Sequence, residues 1–181
     1  IQARTWTRLE EYLARAVRPD GSATYADRGT GEGRQGVSIA AVGLLSRLYL
    51  GWSPRSAETK RAAVRLVRAG PDPDGRADWE RTYQSIYYWY YATLALFHVG
   101  GEPWEAWNLY LKRTVLPLQN RAGELEGSFD PDPNWIGAAG GRVMSTALGV
   151  LTFEVYYRYT PLYRKLGFAP GSGGGKSEDE R

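Results

Sequence analysis

Cysteine is absent from all 181 residues. Its absence excludes disulfides, thiolate metal sites and cysteine nucleophiles, and leaves the redox compartment open. No run approaches the ~18 apolar residues a membrane-crossing helix needs. His98 is the single histidine, just before Val99-Gly100-Gly101; a lone imidazole there is expected to cap a helix and meet its negative end, not to bind a metal. Neither a metal nor a cofactor is expected. Met144 is the sole methionine and the chain opens at Ile1, so a piece of a longer polypeptide is expected, and any targeting signal upstream would be invisible. A dense basic stripe is lacking as well. Residues 1–70 carry a net charge of +6 and residues 71–181 a net charge of −3, an asymmetry able to steer an anionic partner but too thin to predict a nucleic acid.

What is present is a repeating pattern. Asp20-Gly21-Ser22-Ala23-Thr24-Tyr25, Asp74-Gly75-Arg76-Ala77-Asp78-Trp79 and Glu126-Gly127-Ser128-Phe129 each set an acid, a glycine and soon an aromatic at matching places. About twenty residues later, Ala41-Val42-Gly43-Leu44-Leu45, Thr93-Leu94-Ala95-Leu96-Phe97 and Ala147-Leu148-Gly149-Val150-Leu151 share a small-large-small-large-large order. Both series step by 52 or 54 residues, the mark of a repeat architecture. Before each loop runs an amphipathic segment: Trp6, Leu9, Leu13 and Ala16 form one stripe, Ala63, Leu66 and Val67 a second after Pro54, and Trp104, Trp107 and Leu111 a third after Pro103. After each loop, at Val37 to Leu50, Ile86 to Val99 and Val143 to Tyr159, charge is scarce, and a helix apolar all round must be buried all round. Small residues at Ala41, Gly43, Ala95, Ala147 and Gly149 would let such helices approach closely despite the helix-propensity cost of glycine.

The predicted architecture is therefore all-α, three helical hairpins with amphipathic outer and apolar inner helices, spanning residues 1–170 with repeats at about 5–52, 53–101 and 102–160. Pro161-Leu162-Tyr163 and Leu166-Gly167-Phe168 are expected to form a short closing segment on the last helix. Residues 171–181, glycine-rich and then charged, have nothing to bury and are expected to be disordered.

Gln119 followed by Gly127-Ser128-Phe129 resembles the QW repeat of squalene-hopene cyclases, where a glutamine precedes Gly-Ser-Trp in the loop between outer and inner helix; phenylalanine stands here in place of tryptophan. The first two loops are weaker copies without the glutamine. Tyr87-Tyr88-Trp89-Tyr90-Tyr91 through Val155-Tyr156-Tyr157 is also similar to bacterial prenyltransferase and squalene oxidase repeat proteins. The resemblance covers about residues 5–165 and implies the C-terminal part of an (α/α) toroid in which roughly six hairpins close a ring. Three hairpins alone would leave inner faces bare, so upstream repeats or a partner copy are expected to cover them.

The chemistry of that family is mostly missing. Its cyclases start from a protonated aspartate in an Asp-x-Asp-Asp motif, which this chain lacks. Asp72-Pro73-Asp74 and Asp130-Pro131-Asp132 are the nearest strings, and Asp-Pro pairs set turns and helix caps. If there is chemistry, Asp130 and Asp132 beside Trp135 are the candidate catalytic pair. The zinc prenyltransferase set of Asp, Cys and His, the Asp-Asp-x-x-Asp magnesium motif and the Cys-Gly-Glu-Gln thioester string are absent too.

Candidate ligand-binding residues are Tyr88, Tyr91, Trp135 and Arg142. Five consecutive aromatics cannot all face one way on a helix; those turned to the interior would present ring faces to an isoprenoid chain or a carbocation. Arg142, after Gly140-Gly141 at the start of the third inner helix, could hold an anion, although pairing with a nearby acid satisfies the same geometry. The functional expectation is a non-catalytic or catalytically incomplete toroid segment binding an apolar ligand or a protein. One alternative is an active terpenoid cyclase whose acid lies in missing repeats. Another is a carbohydrate-active toroid pairing Glu124 or Glu126 with Asp130 at about 5 to 9.5 Å.

Overall fold

The computed structural model describes residues 3–24, 36–70, 86–133 and 135–158, apart from the side chains of Trp135 and Ile136. The Asp74–Trp79 anchor, the expected closing segment and the expected tail lie outside these residues. Within them the chain is all-α, with helices α1 (Ala3–Ala16), α2 (Val37–Tyr49), α3 (Ala57–Ala69), α4 (Ile86–Val99), α5 (Gly101–Tyr110), α6 (Trp135–Phe153) and α7 (Val155–Arg158). No described helix is long and apolar enough to cross a membrane.

The apolar helices α2 and α4 are largely buried as their patterns require, but α6 is not: Ser145, Gly149 and Thr152 are its buried described residues, and Val143, Met144 and Val150 are exposed. α2, α4 and α6 form one row, α2 against α4 and α4 against α6. α3 packs on α2 and α4, and α5 packs on α4 and α3. α4 is thus flanked on two sides and backed on a third, which is why a helix apolar all round is tolerated there. Ile86, Tyr88, Trp89, Ala92, Thr93, Leu94, Ala95, Leu96 and Phe97 are all buried in it. Each large side chain taken out of water there contributes about 1.5–3 kcal/mol. Two polar links set its rotation. The Tyr88 hydroxyl donates to the Leu66 carbonyl of α3 at 2.6 Å, and the Trp107 indole of α5 donates to Thr93 Oγ1 at 2.8 Å.

Local chemistry sets the helix ends. α3 begins three residues after Pro54, where Ser56 Oγ accepts the Thr59 N–H at 3.1 Å as an N-cap. α5 runs on through a π-helical turn, Leu111–Val115, and a 3-10 turn, Leu116–Leu118, that contains Pro117. α6 is two helices joined at Gly141, whose φ of 57° and ψ of −154° only glycine adopts readily. The apolar inner portion therefore starts at Arg142, while residues 135–140, expected in a loop, are helical.

The first and third loops share one hydrogen-bond plan. In the first, Arg18 N–H donates to the Ser22 carbonyl and Gly21 N–H to the Arg18 carbonyl, beside a bridge between Val17 and Ala23. In the third, Asn120 N–H donates to the Ser128 carbonyl and Gly127 N–H to the Asn120 carbonyl, beside a bridge between Gln119 and Phe129. Gly21 and Gly127 both take a left-handed φ, 81° and 82°. Inner-helix glycine has a different use from the expected helix-to-helix approach. A Cβ on Gly43 would lie 2.8 Å from Val17, and one on Gly149 would lie 2.6 Å from the Phe129 ring. In both hairpins the glycine admits the loop, and in the third it makes room for the aromatic of the Gly-Ser-Phe string.

Candidate functional site

The third loop carries the acidic candidates, and it is knitted together by its own side chains. Gln119 Nε2 donates to the Gly127 carbonyl at 2.9 Å, Ser128 Oγ donates to the Leu125 carbonyl at 2.6 Å, and Asn120 Nδ2 reaches Asp130 Oδ1 at 3.1 Å. Phe129 is buried against α6, and its N–H donates to Thr146 Oγ1 at 3.0 Å. Gln119 and the Gly-Ser-Phe string therefore act as loop architecture here.

Arg142 joins this loop to the start of the inner part of α6. Its Nη1 donates to Asp130 Oδ1 at 2.6 Å and to Ser128 Oγ at 3.1 Å. Of the candidate residues, Arg142 and Asp130 are the two the structure brings together, as an ion pair. The amide of Asn120, and then Arg142, hold the Asp130 carboxyl below its usual range. An exposed carboxylate held ionised has no proton to give an alkene.

Asp132 serves another helix. It is buried, its Oδ2 accepts the N–H of Ile86, the first residue of α4, at 2.7 Å, and its own N–H donates to Ser145 Oγ at 2.9 Å. A free amide at a helix N-terminus is one of the donors that such an end leaves unpaired, so Asp132 caps α4 from a loop 46 residues away in sequence. Asp130 and Asp132 thus answer to different partners, one exposed beside an arginine and one buried under a helix end. Among the described residues no group of three His, Cys, Asp or Glu side chains is placed to hold a metal ion.

The aromatic run of α4 divides into two sides. Tyr88 is fully buried, its ring edge-on to Trp107 at 5.6 Å, and burial raises its phenol well above the usual range. Tyr88 therefore belongs to the packing between α4, α3 and α5. Tyr87, Tyr90 and Tyr91 are only half-buried. At about 100° per residue Tyr88 and Thr93, which hydrogen-bond to α3 and α5, stand about 140° apart, and all three tyrosines fall in the remaining arc, Tyr91 about 60° from Tyr88. There Tyr91 lies 4.7 Å from Tyr87 and 5.0 Å from Tyr90, ring centre to ring centre. Near the C-terminal end of α4, His98 sits edge-on to Tyr49 of α2 at 5.4 Å. Burial pushes this imidazole down to about 4. It is neutral at pH 7, so desolvation outweighs the expected attraction of a histidinium to the helix end. The Trp135 side chain lies outside the described residues.

Arg47 is a residue the apolar reading of α2 passed over. Its guanidinium is buried, donates to the carbonyls of Val17 at 2.6 Å and Leu13 at 3.3 Å, and lies 4.2 Å from the centre of the Trp52 ring. The carbonyls belong to the last turn of α1 and the residue that follows it, where a cation is favoured by the helix dipole. The signal in the sequence was a single arginine within thirteen otherwise uncharged residues.

No protein-family profile, curated protein or solved structure matches this chain.

Proposed function

We propose that this chain is a segment of an (α/α) toroid that binds an apolar, isoprenoid-like ligand on the tyrosine side of α4 and does no chemistry on it. The observation that carries this reading is the cluster of Tyr87, Tyr90 and Tyr91, half-buried and ring to ring, on the part of the α4 circumference outside its Tyr88 and Thr93 links to α3 and α5. Aromatic faces of this kind suit an extended polyene, to which they offer broad apolar area and ring-quadrupole contact. Absence of catalysis is supported by the fate of the carboxylates: Asp130 is paired and ionised, and Asp132 is committed to the end of α4.

Native mass spectrometry after mixing with a polyisoprenoid extract tests the proposal. A retained lipid of unchanged mass, lost in Tyr87→Ala/Tyr91→Ala, is the expected outcome. Release of an isomerised or cyclised product would return the chain to the terpenoid cyclases, and no retained lipid would remove the ligand.

A further inference from the structure

The outward face of α3 carries charge of one sign. At about 100° per residue, Lys60, Arg61, Val64, Arg65 and Arg68 fall within about 140° of the helix circumference, opposite the buried Thr59, Ala62, Ala63 and Leu66. All five are exposed, and together they line an open groove of about 560 Å³. A solvated outer face does not require this uniformity. The exposed side of α1 mixes Arg4, Arg8 and Arg15 with Glu10 and Glu11, whereas Glu58 is the single acid of α3.

The stripe also works against its own helix. Arg61 and Arg65 are like charges four residues apart, Arg65 and Arg68 are three apart, and Lys60 stands in the first turn, where the helix dipole disfavours a cation. Two acids reach the stripe, both exposed and both at 3.5 Å: Glu58 at Arg61 and Asp20 at Arg65. Lys60 and Arg68 meet no acid among the described residues. Four cations against two acids leave a net charge of +2.

Spacing narrows the kind of anion. Lys60, Val64 and Arg68 follow one another along one row at intervals of about 6 Å, beside a second row of Arg61 and Arg65. In an extended chain the side chains on one face recur every second residue, about 6.7 Å apart. The two registers match when alternate residues of the extended chain are acid, apolar and acid, with carboxylates over Lys60 and Arg68 and an apolar side chain on Val64. Val64 is 41% exposed and shorter than its cationic neighbours, so it supplies the apolar floor. Three of the four cations are arginine, whose planar fork meets a carboxylate through two parallel hydrogen bonds. A single-stranded nucleic acid is held by aromatic side chains on which its bases stack, and no described aromatic lines the groove. A lipid surface is gripped by a helix through an apolar face, of which Val64 is here the single member.

We infer that the outward face of α3 binds an extended acidic segment of a partner protein, with the pattern acid-x-apolar-x-acid. The site is built on α3 and is independent of the tyrosine side of α4, so its failure would leave the ligand reading intact.

The test is a titration of the full chain with the peptide Gly-Glu-Ser-Leu-Ser-Glu-Gly, followed by backbone amide shifts, beside a peptide of the same composition with its two glutamates adjacent. The expected result is saturable shifts centred on α3 and weaker binding of the rearranged peptide. Lys60→Gln/Arg68→Gln should bind about fivefold more weakly, as two exposed ion pairs are lost. Arg4→Gln/Arg8→Gln on α1 removes the same charge and should leave binding unchanged. All four positions are exposed and glutamine is a good helix former, so circular dichroism should show the helix content unchanged. Equal weakening by the two variants, or equal binding of the two peptides, would reduce the effect to net charge and overturn the inference. Absence of saturation at millimolar peptide would overturn it too, as would tighter binding of a single-stranded oligonucleotide or of phosphatidylserine vesicles to the same face.

Discussion

At His98 a pH dependence is written into one side chain. The folded protein resists protonating this imidazole until about pH 4, whereas the unfolded chain takes up the proton near 6.5. The unfolded state thus binds more protons between those values, so the stability contributed by neutral His98 is complete above pH 6.5 and is lost as the pH falls toward 4. The full shift corresponds to about 3 kcal/mol, and partial exposure reduces it to on the order of 2 kcal/mol. Urea unfolding across this range should show the midpoint falling with pH in the wild type and a flatter profile in His98→Phe. Asp132 separates architecture from catalysis at the same scale. Asp132→Ala leaves the Ile86 N–H of α4 without its acceptor and is expected to cost about 1–3 kcal/mol, while Asp132→Asn keeps an acceptor oxygen and should lose much less. Equal loss in both variants would show that the charge, not the hydrogen bond, is what the helix end requires. Arg47→Ala removes the donors from the carbonyls of Leu13 and Val17 and is expected to destabilise by about 1.5–3 kcal/mol, read as a lower denaturation midpoint.

Between elements, the tightest constraints lie where loops meet inner helices. Gly149 faces the ring of Phe129, and a side chain there would have to displace a buried aromatic. Gly149→Val is expected to cost about 1–3 kcal/mol through overpacking, and Phe129→Leu in the same chain should recover part of it, the coupling being readable in a double-mutant cycle. Gly141 is a different case. Nothing lies within reach of an added Cβ, so the cost of Gly141→Ala comes from its backbone conformation alone, about 1–3 kcal/mol. These glycines were visible in the sequence at both positions, yet only the fold distinguishes a glycine kept for space from one kept for its dihedral angles.

Across the molecule, stability should grade from the middle of the row outward. α4 is enclosed by α2, α3, α5 and α6, whereas α1 has α2 as its one packed neighbour among the described helices. Hydrogen exchange should accordingly be slowest in Leu94 to Phe97 and fastest in the first turns of α1, since local opening there sacrifices little buried surface.

By itself the sequence determined the helical class and the matching strings of the first and third loops, because periodicity and turn chemistry act over a few residues and are written along the chain. It also excluded thiol chemistry outright, since composition alone decides that. Tertiary structure decided which candidates do work at long range. It turned Asp132 from a catalytic candidate into the cap of α4, joined Arg142 to Asp130, sent Tyr88 into the packing while leaving Tyr91 on the half-buried side, and placed Arg47 over the end of α1. In each case the partner lies many residues away, and no local period specifies which distant donor or acceptor a polar side chain will meet once burial has removed the competing water.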